Sequence, residues 1–142
     1  MTVTDSRAAL TALAVAAALH LGFQATVTAL VYPALARVPA SEWSSAHAAH
    51  SRRIVPLVAI TYAALLATGL WALLTAPVGA LLIVSLGGAT VSLITTAAAA
   101  APLHGRLGAG PTLGLLTRLL WVDRLRAAGA VVCFVGALGA LA

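Results

Sequence analysis

The chain has 142 residues, of which 62% are hydrophobic and 8% charged, with a formal net charge of +5. A mean hydropathy of +1.07 puts it outside the soluble globular class, and one domain is the expectation for this length. The positive charge comes from eight arginines and no lysine against Asp5, Glu42 and Asp123. These arginines sit at the ends of apolar runs, which points to membrane topology and anionic lipid headgroups and away from nucleic acid.

Taken in order, the first apolar run is Ala8 to Val31, with no charge along it. Arg7 and the small residues after it loosely suggest a secretory signal. The run continues past Leu19, however, and is long enough to cross a hydrocarbon core of roughly 30 Å, so it is expected to be a retained span. Pro33 and Pro39 are expected to end it. Ser41 suits an N-cap and Glu42 a first helical turn. The helix that follows would begin outside the bilayer, carry His47-Ala48-Ala49-His50-Ser51-Arg52-Arg53, and enter near Ile54 with a kink at Pro56. Thr75-Ala76-Pro77 forms an uncharged connector. Span three is closed by His104-Gly105-Arg106, and Gly105, Gly108, Gly110 and Pro111 mark a loop, with Pro111 suited to the first position of the next helix. The last run, Ala127–Ala142, gives only about 24 Å of helix, so the fourth span must borrow residues upstream of Asp123. Cys133 lies alone in that run, which rules out a disulfide within the chain.

The reading is a single all-α, integral-membrane, antiparallel four-helix bundle with spans at about 8–31, 54–74, 78–103 and 119–142. Gly88, Ser92, Thr96 and Ala100 recur at four-residue spacing and would let a neighbouring helix approach closely. The segments after spans one and three hold seven of the eight arginines. By the positive-inside rule they face the cytoplasm of a cell (inner) membrane, with both termini outside.

Two groups of polar residues stand out. At the arginine-rich end, His47 and His50 share a helix face, His104 closes span three, and Asp123 opens span four at the same level. His47, His50, His104 and Asp123 are therefore the candidate acid–base residues. Arg52, Arg53 and Arg124, with Trp121, would cradle the polar head of a substrate, although headgroup contact alone also accounts for arginines there. His47, His50 and His104 are also the only set that resembles a transition-metal site, so the cofactor is either none or a single metal. The second group, His20, Gln24, Thr28 and Tyr32, recurs every four residues along span one. A histidine at mid-membrane is a functional candidate by default, so this stripe should face the interior. It would line a pocket with His20, Gln24 and Tyr32, or close an interhelical hydrogen-bond network.

The segments Phe23–Arg53 and Thr95–Arg126 carry Tyr32-Pro33, a Trp/His/Arg stretch, Pro102-Leu103-His104-Gly105-Arg106-Leu107 and Trp121-Val122-Asp123-Arg124-Leu125-Arg126. This pattern resembles the anthrone-oxygenase-like family of small four-span membrane proteins. His104 stands where that family usually has asparagine, and Asp123 where asparagine, histidine or tryptophan is more usual. The resemblance implies a cytoplasm-facing pocket and oxygenation or ring-forming chemistry. The sequence thus leads to a membrane enzyme that oxygenates, cyclises or isomerises a lipophilic small molecule, in contact with membrane lipids. The rivals are a small transporter, oligomerising through the Gly88–Ala100 stripe, and a non-catalytic accessory subunit.

Overall fold

The computed structural model describes residues 3–142. Four helices are long and apolar enough to cross a membrane: α1 (Thr4–Leu35), α2 (Trp43–Thr75), α3 (Ala80–Leu107) and α4 (Leu113–Leu141). Short connections turn the chain back on itself, and polar contacts register the antiparallel pairs. The Ser6 hydroxyl reaches the Thr75 carbonyl at one end, and the Trp43 indole N–H donates to the Leu107 carbonyl at 2.7 Å at the other. The helices pack in the spatial order α2–α1–α4–α3. The backbones of α2 and α3 stay apart and the two helices meet through side chains such as Trp43 and Tyr62, so the bundle is grooved along that seam. Leucine, isoleucine and valine side chains such as Leu19, Ile60, Leu74, Ile83 and Val135 are exposed on its outside, as an apolar solvent requires.

The tightest pair is α3 with α4. Gly88 and Gly129 face each other there, and Gly136 lies against Ser85. Without side chains the backbones come close enough for Ser85 Oγ to donate to the Cys133 carbonyl at 2.9 Å and Ser92 Oγ to the Arg126 carbonyl at 2.8 Å. Such small-residue contacts replace the hydrophobic drive that is absent between helices in lipid. The expected Gly88–Ser92 face is therefore already occupied within the chain by α4.

Several helix ends differ from the sequence reading. α1 does not stop at Pro33: it widens into a π turn over Val27–Val31, where the Tyr32 N–H bonds the Val27 carbonyl, and runs on to Leu35. α3 does the same over Thr96–Ala100, ahead of Pro102. Proline lacks an N–H and crowds the carbonyl four residues back, and a π turn accommodates both. His104, Gly105 and Arg106 consequently lie inside α3, whose last α-helical segment is Ala101–Leu107. Pro56 sits within an unbroken α2. Ser41 does not cap α2: the capping position is Glu42, with no side-chain cap bond. Pro111 is likewise not the first residue of α4. Thr112 is extended and caps that helix, its hydroxyl accepting from Leu115 N at 3.2 Å. Thr112→Ala is expected to cost about 1 kcal/mol, read as a lower midpoint of thermal unfolding in detergent. An unchanged midpoint would mean that the cap contributes nothing.

Candidate functional site

At the arginine-rich end, the four helices bring together a chain of polar side chains that begins deep in the bundle. Gln24, on α1, donates from Nε2 to Asp123 Oδ1 on α4 at 2.6 Å. Arg126 lies one turn further along α4 and turns its guanidinium back. Nη1 stands 3.5 Å from Asp123 Oδ1 and 3.4 Å from the Tyr32 hydroxyl. Asp123 and Arg126 are 1% and 3% exposed, so the two charges neutralise each other out of water. The distances are long for hydrogen bonds, and the pairing is chiefly coulombic.

From Tyr32 the chain continues outward. The Tyr32 hydroxyl is 3.0 Å from His104 Nε2, and His104 Nδ1 is 3.3 Å from His47 Nε2. His104 therefore has a partner at each ring nitrogen. If Tyr32 donates to Nε2, Nδ1 carries the proton toward His47; the opposite tautomer reverses both bonds. His47 stacks on Trp43 with ring centroids 5.5 Å apart, and His50 stacks on His104 at 5.6 Å. The indole bond to Leu107 anchors this stack to the end of α3.

The stripe along α1 faces inward as its spacing predicts: His20, Gln24 and Tyr32 are buried and Thr28 is half-buried. Four-residue spacing drifts by about 40° per step on a straight α-helix. The π turn between Thr28 and Tyr32 takes up part of that drift and keeps the phenol on the interior face. His20 is at the inner end, its ring 5.2 Å from that of Tyr62. Neither of its nitrogens has a hydrogen-bond partner among the described residues, and the same holds for Gln24 Oε1, His50 Nε2 and Arg126 Nε.

Beside this chain is a cleft of about 450 Å³. Its walls are largely apolar, formed by residues such as Phe23, Val27, Ile54, Val55 and Val58, and five polar residues line it: Tyr32, Ser51, Thr96, His104 and Arg126. It lies on the grooved seam between α2 and α3. Thr96 forms part of its floor and bonds the Tyr62 hydroxyl at 2.8 Å. His20 and Gln24 are not among its lining residues; they lie behind that floor and behind the α1–α4 contact.

The expected site residues thus separate into two sets. Tyr32, His47, His50, His104, Asp123, Gln24 and His20 are inside the bundle. Arg52, Arg53, Trp121 and Arg124 are exposed on its outside, and the Arg124 guanidinium lies 5.0 Å over the Trp121 ring. Asp123 contacts Gln24 and Arg126 rather than a histidine. The candidate metal set of His47, His50 and His104 assembles as a stack of rings. Among the described residues no three His, Cys, Asp or Glu side chains are grouped to hold a metal ion. Arg126 is the member that the sequence reading left among the topology charges. Its signal was its place three residues after Asp123, which puts both on one face of a helix that then enters the apolar run.

No family model matches the chain, and no curated protein or solved structure matches it.

Proposed function

We propose that this chain is an integral-membrane enzyme that performs acid–base chemistry on a lipophilic small molecule. The observation that carries the reading is the cleft between α2 and α3, with largely apolar walls and Tyr32, His104 and Arg126 among its polar lining. A substrate dissolved in the bilayer reaches such a site sideways, without leaving the apolar phase. The arginine-rich end, where the site lies, faces the cytoplasm by the positive-inside rule, with both termini outside.

The residues divide the work by chemistry. The His104 imidazole removes or returns a proton at carbon or oxygen, the substrate taking the place of Tyr32 at Nε2 while Nδ1 keeps its bond to His47. The Arg126 guanidinium supplies fixed positive charge where an enolate or alkoxide develops in a dry cleft. Asp123 and Gln24 position that guanidinium and do not touch the substrate. His47 connects His104 toward the end of the bundle, where protons exchange with water, and His50 packs on the His104 ring. An enolate formed this way is a common first step to isomerisation, to cyclisation and to reaction with dioxygen. All three reactions therefore stay within one reading, as does the oxygenase-like and cyclase-like chemistry implied by the family resemblance.

The test compares organic extracts of membranes carrying the wild type and His104→Ala. The variant is expected to lose about 10²- to 10⁴-fold in product formation, with its precursor accumulating and its helical content unchanged. Tyr32→Phe, which keeps the ring and removes the hydroxyl, should lose less. Extracts that do not differ between wild type and His104→Ala would sink the enzyme reading.

A further inference from the structure

Beyond the floor of the cleft the same seam is grooved again. A second groove, of about 400 Å³, continues along the same seam, and its walls are apolar apart from Tyr62 and Thr90. The two are successive along the seam: Val58 and Tyr62 are one turn apart on α2, and Thr96 and Leu93 one turn apart on α3. Between them the Tyr62 hydroxyl bonds Ser92 O and Thr96 Oγ1, so an occupant of both passes over that bridge on the outer side of the seam. From His104 at the head to Leu86 at the far end, the seam follows α3 for about 27 Å. That is most of a hydrocarbon core of roughly 30 Å. It is far longer than a compact ring system needs, and it suits one extended chain.

The two ends differ chemically. The far end has small residues along its wall, Gly69 and Ala89, and no charge. The head end has Arg126 on its lining, with Nε buried and without a hydrogen-bond partner among the described residues. The balancing carboxylate of Asp123 does not line the cleft. The exposed Arg52, Arg53 and Arg106 stand near the same end, so the charge presented to an occupant is positive.

We infer that the ligand of this site is a single-chain amphiphile with an anionic head: its head meets Arg126, Tyr32 and His104, and its tail lies in the groove between α2 and α3. The inference rests on the proposed site and names the class of molecule it takes. A fatty-acid-like substrate and the single chain of a membrane lysolipid share this chemistry. Lipid is as apolar as the groove, so the tail gains by packing and not by leaving water. Selectivity should therefore fall on chain length and on head charge together.

The experiment is photolabelling in phosphatidylcholine nanodiscs with hexadecanoate carrying a diazirine near the chain terminus, followed by peptide mapping. Labels are expected on the α2 and α3 walls, around Leu66, Leu70 and Leu86. Unlabelled hexadecanoate should compete at least about tenfold better than octanoate or hexadecanol. A lysophospholipid of the same chain length competing better than hexadecanoate would identify the lipid source within the same class. Ala89→Phe, which fills the groove far from the head, should weaken tail labelling about tenfold. Gly87→Phe, beside it with open space around its Cα, should not. Labels spread evenly over exposed positions such as Val15 and Leu138, or equal competition by octanoate and hexadecanol, would overturn the inference and leave a site for bulk lipid only. Labelling requires no turnover. Groove labelling alongside unchanged His104→Ala extracts would support the ligand class and sink the enzyme reading. Diffuse labelling with a lost product would do the reverse.

Discussion

Asp123→Ala is expected to lower the stability of this protein by about 3–5 kcal/mol, among the largest effects of any single side-chain removal in it. The carboxylate is 1% exposed and the Arg126 guanidinium beside it 3%, so each charge is kept out of water by the fold and neutralised by the other. Truncating Asp123 leaves a buried guanidinium whose remaining partner is the Tyr32 hydroxyl at 3.4 Å. It also takes the 2.6 Å acceptor from Gln24 Nε2, on a side chain whose Oε1 has no partner among the described residues. Asp123→Asn keeps an acceptor for Gln24 and loses the charge, so it should fall between the wild type and alanine. The double change Asp123→Leu with Arg126→Met removes both charges and should cost far less than the two single changes summed, because the penalty of each lies in the orphaned partner. Unfolding in mixed micelles under increasing denaturing detergent would measure each of these variants. An alanine variant as stable as the wild type would mean that Arg126 is not held by Asp123, and the site would need another account of its charge.

That pair also marks the limit of what could be read from the sequence. Four spans, their order and the gathering of polar groups at one end follow from hydropathy and arginine position, because a bilayer leaves few ways to satisfy a backbone. The inward stripe of His20, Gln24 and Tyr32 was legible for the same reason: a polar residue in mid-membrane has nowhere else to point. The three histidines converge because His47 and His50 lie in the opening turns of α2 and His104 in the closing turn of α3, at one level of the bundle. The arginines were harder. Arg124 and Arg126 are two residues apart and differ by about 200° around the helix, so one lies over Trp121 on the outside and the other enters the cleft. A count of positive charges treats them alike; the direction of Asp123 separates them. The π turns were not legible at all. Pro33 and Pro102 signal that a hydrogen bond is missing, but whether the chain breaks or widens depends on neighbouring helices that hold it straight. Here it widens twice, each time ending two residues before the proline, and Tyr32 and His104 follow those turns.

The second large effect concerns the contact that holds Arg126 in place from behind. Gly88→Ala adds one methyl group, yet its Cβ would stand 2.4 Å from the Cys133 nitrogen and 2.6 Å from the Gly129 carbonyl oxygen. Both are backbone atoms, so no rotamer change relieves the clash and α4 must move away from α3. Gly136 is in the same position, with Ser85 N at 2.5 Å from an added Cβ. Moving the helices apart breaks the Ser85 bond to the Cys133 carbonyl and the Ser92 bond to the Arg126 carbonyl. Gly88→Ala and Gly136→Ala are therefore expected to cost about 1–3 kcal/mol or more, and Gly88→Leu to prevent folding. Gly87→Ala is the control: nothing lies within 4 Å of the added atom, and alanine is the better helix former by about 1 kcal/mol, so that variant should be neutral or slightly stabilised. The Gly88→Ala effect should not stop at stability. The Arg126 carbonyl is the atom that Ser92 grips, so a displaced α4 carries the guanidinium out of register with Tyr32 and His104, and ligand labelling at the head of the cleft should fall with the unfolding midpoint. If Gly88→Ala unfolds like the wild type, the helices have room that the close contact denies, and Arg126 is held by Asp123 and Tyr32 alone.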